Sequence, residues 1–351
     1  MSAPPLLLIL TAFLMSLTPV LRGAEEESPL KKVGLEEREL KESVRGLLYE
    51  SKFSELDKLA KQYNDKRERV VGGVWKLRHL SDGLAYPGKV SDDAEWKRLL
   101  EKLTEWTTKS DTAFPINALG HAQLNYAWNA RGYKFAGGVK PENWPVFEEW
   151  VEKARGNLEK ALEKDPGCVD VYRSLLHVGQ SQGWERPQME AMFQRGIKVV
   201  PDYFDNYYNM AFYLMERWHG QPGDCQRFLN SIPDLVPGDT GREIYTRAAM
   251  QIYWYYSDHF FGESDDRIYW RRMRKGFEVL NKKWPDIFFR NRFAFYAWAA
   301  GDEDTARRVV LELQEKNLLH APAWYNQKNV DAVLKWLKLE ARKPEEPVDP
   351  E

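Results

Sequence analysis

The sequence predicts an all-α protein made of stacked antiparallel helical hairpins, which is an α-solenoid. Three observations predict this class: prolines recur at similar intervals, small residues lie at helical contact spacing, and no stretch alternates apolar and polar residues for long enough to form a strand. Hydrophobic residues make up 43% of the 351 residues and charged residues 30%. This composition is sufficient for a core and argues against intrinsic disorder.

Residues 1–24 are predicted to be a signal peptide. Residues 6–21 are almost wholly apolar, and Gly23-Ala24 lies just before an acidic run. The apolar run of sixteen residues is shorter than the about 20 that a membrane-spanning helix needs, so export with cleavage is expected. The predicted location is the periplasm or the cell exterior, and the alternative is a protein anchored by an uncleaved N-terminal segment.

The charges of the chain are nearly balanced. The sequence has 51 Lys and Arg against 53 Asp and Glu, which gives a net charge of −2. Such a chain has no long-range attraction for nucleic acid or anionic lipid. No nucleic-acid partner is therefore expected, and a membrane partner is expected only if the N-terminal segment stays uncleaved.

Two segments precede the predicted repeats. Residues 25–69 are expected to form an N-terminal helical hairpin, because leucines at helical spacing lie on both sides of a polar turn. Residues 70–91 contain Gly72, Gly73 and Pro87, which favour a short irregular linker over a helix.

Residues 92–342 are predicted to be the repeat domain. Prolines at the expected hairpin ends are 35, 36, 48 and 37 residues apart, and three of these intervals are close to the tetratricopeptide (TPR) period of about 34. These prolines are Pro166, Pro201, Pro237, Pro285 and Pro322. The interval of 48 indicates an insertion. The tail, residues 343–351, is rich in Pro and Glu and is expected to be disordered.

Small residues at helical spacing support the TPR-like interpretation. Ala154, Leu158 and Ala161 are followed by Pro166, as in the second helix of a TPR, where small residues let two helices approach and a proline ends the hairpin. A second match has Ala294 and Ala306 on either side of Gly301, and glycine suits the tight turn between two helices.

Five segments also carry a resemblance to a known family. They are Trp128-Asn-Ala-Arg131-Gly132, Ala154 to Pro166, Arg217-Trp218-His219-Gly220, Phe53-Ser-Glu-Leu56-Asp-Lys-Leu59 and Gly72-Gly73 with Trp75-Lys-Leu77. With them the chain resembles a family of exported or membrane-anchored bacterial TPR-like proteins that has no assigned activity. The resemblance implies helical hairpins and an interaction role, and it implies no catalytic residue.

The two cysteines, Cys168 and Cys225, are predicted to be free thiols. In the expected register they open helices that start at opposite edges of the helical layer. That separation is about 20 Å for helices of fourteen residues, whereas a disulfide needs Cα atoms within about 7 Å.

No catalytic residue, metal site or cofactor is predicted. The six histidines form no HExxH motif, and no two of them lie within one helical turn. The sequence also has no GxSxG, Walker A or GxGxxG motif.

A candidate binding groove follows from TPR geometry, in which the first helix of each hairpin lines the concave face. Counting along these helices places hydrogen-bond donors and aromatic rings on that face: Arg173, His177, Tyr208, Phe212, Asn291, Phe295 and Trp298. Such a groove suits an extended peptide, a C-terminal carboxylate or a glycan. The alternative is an ordinary solvated face.

Two further patterns have simple interpretations as well as functional ones. Residues 267–275 interleave cations with aromatic residues, but an ordinary helix with Ile268, Phe277 and Leu280 buried is favoured over a nucleic-acid or lipid site. A group of acids lies near His259 in the expected insertion: Asp258, Glu263, Asp265 and Asp266. A polar loop with helix-capping acids is favoured there over the paired carboxylates of a glycosidase.

The sequence therefore predicts an exported, non-enzymatic interaction module with a concave helical-repeat groove. The expected partner is a protein or peptide, with a glycan as the alternative. The rival functions are an exported all-α enzyme acting on polysaccharides, which would use the acidic loop, and a membrane-tethered scaffold.

Overall fold

The protein is described by a computed structural model that covers residues 29–132 and 134–340, without the side chains of residues 258, 339 and 340. These residues form fifteen α-helices and no β-strand, and consecutive helices pack side by side as in a helical solenoid. The predicted all-α class is confirmed. The predicted signal peptide and the predicted disordered tail lie outside the described residues.

The helices follow one another with short connections. They are α1 (Leu35–Tyr49), α2 (Phe53–Lys66), α3 (Lys76–Leu84), α4 (Asp93–Lys109), α5 (Phe114–Arg131), α6 (Asn143–Lys164), α7 (Val169–Gln182), α8 (Arg186–Val199), α9 (Phe204–Tyr213), α10 (Asp224–Leu235), α11 (Asp239–Tyr256), α12 (Trp270–Lys283), α13 (Ile287–Ala299), α14 (Glu303–Glu315) and α15 (Gln327–Glu340). Four short 3-10 helices are Pro29–Lys32, Ala136–Gly138, Ser257–His259 and Ala321–Trp324.

The helix pair α5 and α6 shows why small residues recur in this sequence. Ala154, Leu158 and Ala161 are fully buried on α6. A Cβ atom on Gly120 of α5 would lie 2.7 Å from Cγ of Leu158 and 3.1 Å from the carbonyl oxygen of Ala154. The two backbones therefore approach closely only because α5 presents a glycine to the large leucine.

The second small-residue match also forms a hairpin, between α13 and α14. Ala294 and Ala306 are fully buried, and Gly301 has a φ of +74° in the turn between the two helices. This conformation is open to glycine at little cost and strained for most other residues. The turn chemistry therefore matches the expectation from the sequence.

One prediction about local structure was wrong. Residues 70–91, expected to be irregular, contain α3, on which Leu77, Leu80 and Leu84 are fully buried. Gly83, which resembles a helix breaker in the sequence, is a close-packing position. A Cβ atom there would lie 2.9 Å from Cα of Lys41 on α1. The glycine lets two helices touch and does not interrupt the helix.

The turn that leads into α3 does have the irregular backbone that its glycines suggested. Gly72 and Gly73 have φ angles of +84° and +80°. The carbonyl oxygen of Gly72 accepts a hydrogen bond from Arg247 on α11, and the ring of Trp284 lies directly against Gly73. This turn therefore ties the N-terminal segment to the C-terminal half of the protein.

Helix α3 lies on a row of helices that we call the inner face. This face is formed by the first helices of successive hairpins, α5, α7, α9, α11 and α13, and α3 contacts α5 and α7 within it. The tyrosine hydroxyl of Tyr296 on α13 donates to the carbonyl of Met250 on α11, which links the last two members of the row. The protein thus covers part of its own inner face.

Both cysteines are buried and free, as predicted. Cys168 directly precedes α7, and Cys225 lies in the first turn of α10. Burial raises the pKa of the Cys225 thiol to about 12, and it also raises the pKa of the Cys168 thiol.

Candidate functional site

A buried network of charges joins α3 to the inner face. Arg173 on α7 donates from Nε to Asp170 at 2.8 Å, from Nη1 to Asp82 at 3.1 Å and from Nη2 to Ser81 at 3.2 Å. Arg173 was predicted to face a partner in an open groove. Its guanidinium binds the protein's own α3 instead.

The network continues through a second arginine. Arg78 on α3 donates to Asp82 at 3.2 Å and to Asp205 at the start of α9. Burial alone would raise the pKa of Asp82, but Arg78 and Arg173 hold that pKa well below its usual value. Each buried charge in this network therefore has a partner of opposite sign, which is the condition under which buried ions are tolerated.

Two cavities remain open beside α3. The C-terminal cavity, of about 530 Å³, lies between the N-terminal hairpin and helices α11 and α13. The central cavity, of about 450 Å³, lies beside α5, α7 and α9. Both cavities are bordered by Lys41 of α1 and by Arg78 and Asp82 of α3. We call the two together the α3 cleft.

The central cavity collects four of the seven residues that the sequence placed in a groove. Arg173, His177, Tyr208 and Phe212 all line it. The rings of Tyr208 and Phe212 are 5.6 Å apart between centroids. Burial, with a further contribution from Arg173, lowers the pKa of His177 to about 4, so its imidazole is neutral at pH 7.

The other three predicted groove residues, on α13, line neither cavity. Asn291 is fully buried, and its amide donates to the carbonyls of Ile287 and Leu318. Phe295 is also buried, at 4% exposure, and Trp298 is half-buried near Trp324. Spacings of four and three residues put the three on one face of α13.

That face of α13 is covered by the segment after α14, which the count could not include. The 3-10 helix Ala321–Trp324 brings Trp324 against Phe295, with ring centroids 5.8 Å apart. The indole of Trp324 also donates to Asn291 at 2.9 Å. These contacts turn a predicted groove surface into core.

Exposed aromatic residues at the end of α11 form a rim beside the α3 cleft. Trp254 is 60% exposed and lines the C-terminal cavity. Tyr255 is 43% exposed, and its ring packs edge-on against Phe212 of the central cavity at 5.5 Å. Arg217 lies 5.0 Å from the centroid of the Tyr255 ring. The four consecutive aromatic residues at 253–256 could have indicated this rim, but the helical count did not include them.

Two polar side chains of the C-terminal cavity have buried nitrogen atoms without hydrogen-bond partners in the described part of the chain. His79 is 4% exposed, and neither ring nitrogen has a hydrogen bond. Its Nε2 lies 3.8 Å from Glu37. Burial and Lys41 lower the pKa of His79 to about 4. The second residue is Arg292, whose buried Nη1 atom has no hydrogen-bond partner. The sequence pattern pointed to neither, and it placed His79 in a linker.

The acidic loop of the predicted insertion does not contribute to the cleft. Glu263, Asp265 and Asp266 are exposed, and Asp265 and Asp266 accept hydrogen bonds from Tyr269 and from a neighbouring serine. The side chain of Asp258 lies outside the described residues. The carboxylates that do face the C-terminal cavity include Glu37 and Asp286, and burial raises the pKa of both.

The basic stretch at residues 267–275 is engaged within the fold. Ile268, Phe277 and Leu280 are fully buried, as the helical interpretation predicted. Arg272 donates to the carbonyl of Asn230, and Arg274 donates to Asp302 at 3.3 Å.

Across residues 29–132 and 134–340, no cluster of three or more His, Cys, Asp or Glu side chains is arranged to hold a metal ion. Within the same residues, no helix has the length and apolarity needed to cross a membrane.

No protein-family model, curated protein or solved structure matches this chain. Of the resemblance that the sequence suggested, the structure bears out the helical architecture. The function is therefore argued from the site itself.

Proposed function

We propose that this protein is an exported, non-catalytic interaction module whose α3 cleft binds an extended segment of a partner protein. The observation that carries the proposal is the rim of Trp254 and Tyr255. Trp254 is exposed and lines the C-terminal cavity, and the exposed Tyr255 packs against Phe212 of the central cavity. Both cavities also contain arginines. Trp, Tyr and Arg are the residue types that dominate binding energy at protein interfaces.

The site differs from the open groove expected for a TPR-like solenoid. The protein's own α3 lies on the inner face, so a partner would bind beside α3 and not across the whole face. The resemblance to an exported TPR-like family implies an interaction role, and the apolar segment at residues 6–21 supports export.

The charge of the cleft favours an acidic segment. Among the described residues that line the two cavities, seven are Lys or Arg and four are Asp or Glu. Three of the arginines, Arg78, Arg173 and Arg247, are paired with carboxylates behind the lining, which leaves Lys32, Lys41, Arg45 and Arg292 to attract an acidic segment. The cations are Lys32, Lys41, Arg45, Arg78, Arg173, Arg247 and Arg292. Complementary charge guides association and penalises partners of the wrong sign.

Selection from a random nonapeptide library against the purified mature protein tests this proposal. We expect enrichment of acidic peptides. Trp254→Ala should weaken their binding by about 10-fold or more, because exposed aromatic anchors dominate interface energy. The matched control is Leu311→Ala on α14, which removes a side chain of similar exposure that lines neither cavity. Equal weakening by both variants, or no enrichment at all, would count against the proposal.

Export is tested by the mass of the protein secreted by its native host. A mature chain that begins near Glu25 is expected. A full-length chain in the membrane fraction would favour the membrane-tethered scaffold instead.

A second candidate is an enzyme acting on polysaccharides, and one observation favours it. Glu37 and Asp286 line the same cavity, and burial raises the pKa of both carboxyl groups, as is common for catalytic acids. Release of reducing ends from a panel of polysaccharides would support it, provided that Glu37→Gln and Asp286→Asn each abolish the release.

A further inference from the structure

The C-terminal cavity contains an arginine that no described residue neutralises. The guanidinium of Arg292 lies 3.7 Å from the centroid of the Tyr325 ring and 4.9 Å from that of Phe288. Within the described part of the chain it makes no hydrogen bond and no ion pair, and its Nη1 atom is buried. The aromatic rings hold the cation in place and leave its donors free.

The other arginines of the α3 cleft have partners: three pair with carboxylates, and Arg45 donates to the carbonyl oxygen of Gly83 at 3.3 Å. Arg78 binds Asp82 and Asp205, Arg173 binds Asp170 and Asp82, and Arg247 binds Glu243 at 3.0 Å. A partly buried donor without a partner costs free energy that a bound acceptor would recover. Arg292 is thus the arginine of the cleft at which an added anion gains most.

The acidic side chains that line the C-terminal cavity interact with groups other than Arg292. Asp82 belongs to the buried network, and Glu36 pairs with Lys76 at 3.2 Å. Asp286 accepts from the backbone N–H of Phe289 at 3.0 Å and so caps α13. Glu37 lies 3.8 Å from Nε2 of His79 and also interacts with Lys41.

We propose that Arg292 is an anion subsite of the α3 cleft and binds a carboxylate of the partner segment. The inference rests on the function proposed above and specifies the chemistry that the segment must carry. Arg292 lines the cavity, and a guanidinium can donate two parallel N–H bonds to the two oxygens of a carboxylate.

The carboxylate has two sources, the C-terminus of the partner and an Asp or Glu side chain. Two random nonapeptide libraries separate them, one with free and one with amidated C-termini. Binding of individual selected peptides is then measured by fluorescence anisotropy. If the carboxylate is the C-terminus of the peptide, amidation of that C-terminus should weaken binding about 10-fold. If the carboxylate is a side chain, the same loss of affinity should follow when one Asp or Glu of the peptide is replaced by Asn or Gln.

The variant Arg292→Gln assigns that loss to the subsite. In this variant the carboxylate form and the amide form of the peptide should bind equally weakly, and Arg292→Lys should restore only part of the difference. Arg290→Gln is the matched control, because Arg290 lies on the same helix, pairs with Glu312 and lines neither cavity. Thermal unfolding of each variant checks that the fold is intact.

Each outcome decides between the proposals. A carboxylate preference that Arg292→Gln removes and Arg290→Gln keeps supports the subsite. If peptide binding depends on Trp254 but shows no preference for a carboxylate, the subsite is wrong and the proposed interaction function is still supported. A carboxylate preference that survives in Arg292→Gln also overturns the assignment. Failure of both libraries to yield a binder contradicts both proposals.

Discussion

Asp82 on α3 and Arg173 on α7 form an ion pair of 3.1 Å, although 91 positions separate them in the sequence. Through this contact the inner face of the helical repeats binds a helix of the same chain. A second arginine, Arg78, shares the carboxylate of Asp82. The proposed partner site therefore lies in the cavities beside α3, and the position of α3 determines the shape of those cavities.

Replacing the shared carboxylate should destabilise the protein strongly. In Asp82→Asn, two largely buried guanidinium groups lose a common anionic partner, and breaking a buried ion pair costs about 3 kcal/mol or more. Urea unfolding followed by circular dichroism measures the change. Asp65→Asn is the control, because the pair of Asp65 with Lys61 is exposed and should matter little. Similar unfolding midpoints for the two variants would contradict the importance of the α3 network.

The turn before α3 should tolerate no side chain at Gly73. In Gly73→Ala the residue keeps a φ near +80°, and its new Cβ atom would lie 2.5 Å from the ring of Trp284. We expect a destabilisation of about 2 kcal/mol from backbone strain and displacement of the indole.

The contrasting variant is Gly156→Ala on α6, where the new methyl group would meet no neighbouring atom within 4 Å. It should stabilise the protein by roughly 0.5 to 1 kcal/mol, since alanine favours a helix more than glycine does. A loss of stability in Gly73→Ala no larger than the change in Gly156→Ala would show that the turn does not pack on the C-terminal half.

Stability should fall on mild acidification because of three histidines that the fold shields from solvent. His79 and His121 are buried, and His177 is half-buried in the central cavity. Burial lowers the pKa of His79 and His177 to about 4 and that of His121 to about 3, against 6.5 in the unfolded chain. The native state therefore holds these groups neutral. Their stabilisation is complete above pH 6.5 and is lost as the pH falls toward 4, where the unfolded chain binds protons that the native state does not.

The difference between the wild-type protein and His177→Gln isolates one of these histidines from the acids that titrate nearby. Between pH 6 and pH 5 the free energy of unfolding of the wild type should fall more steeply, by about 1 kcal/mol per pH unit. Equal slopes for the two proteins would show that His177 is not held neutral by burial.

Both thiols should be unreactive in the native protein. Cys168 and Cys225 are 4% and 1% exposed, and burial raises the pKa of each thiol. Thiolates are the reactive species, so Ellman's reagent at pH 8 should label neither cysteine until urea unfolds the chain, after which it should label both. Rapid labelling of the native protein, or a disulfide detected by non-reducing mass spectrometry, would contradict the helix register.

The parts of the fold that depend on residues close together in the sequence could be predicted. The spacing of Ala154 and Leu158 encodes a helix pair, and Gly301 marks the turn of another, because these contacts lie within one hairpin. Gly83 was misinterpreted because a glycine that permits close packing and a glycine that ends a helix look the same in a sequence. Only the contact with Lys41, in another element, distinguishes them.

Only part of the candidate site could be predicted from the sequence, for a related reason. His177 and Phe212 reach the cleft because they lie on successive first helices of hairpins, which the repeat spacing identifies. Arg292 and His79 come together through the turn before α3, whose contacts with α11 and α13 join distant segments. Periodicity contains no information about such contacts.

Site-specific photo-cross-linking in the native host tests the central claim, that the α3 cleft is where a partner binds, most directly. A benzophenone amino acid is placed at Trp254, on the cleft rim, and in a separate strain at Leu311, which lines neither cavity. A discrete adduct with one exported protein, cross-linked through an acidic segment, is expected from position 254, and none is expected from position 311. Adducts of equal yield from both positions, or from position 311 alone, would contradict it.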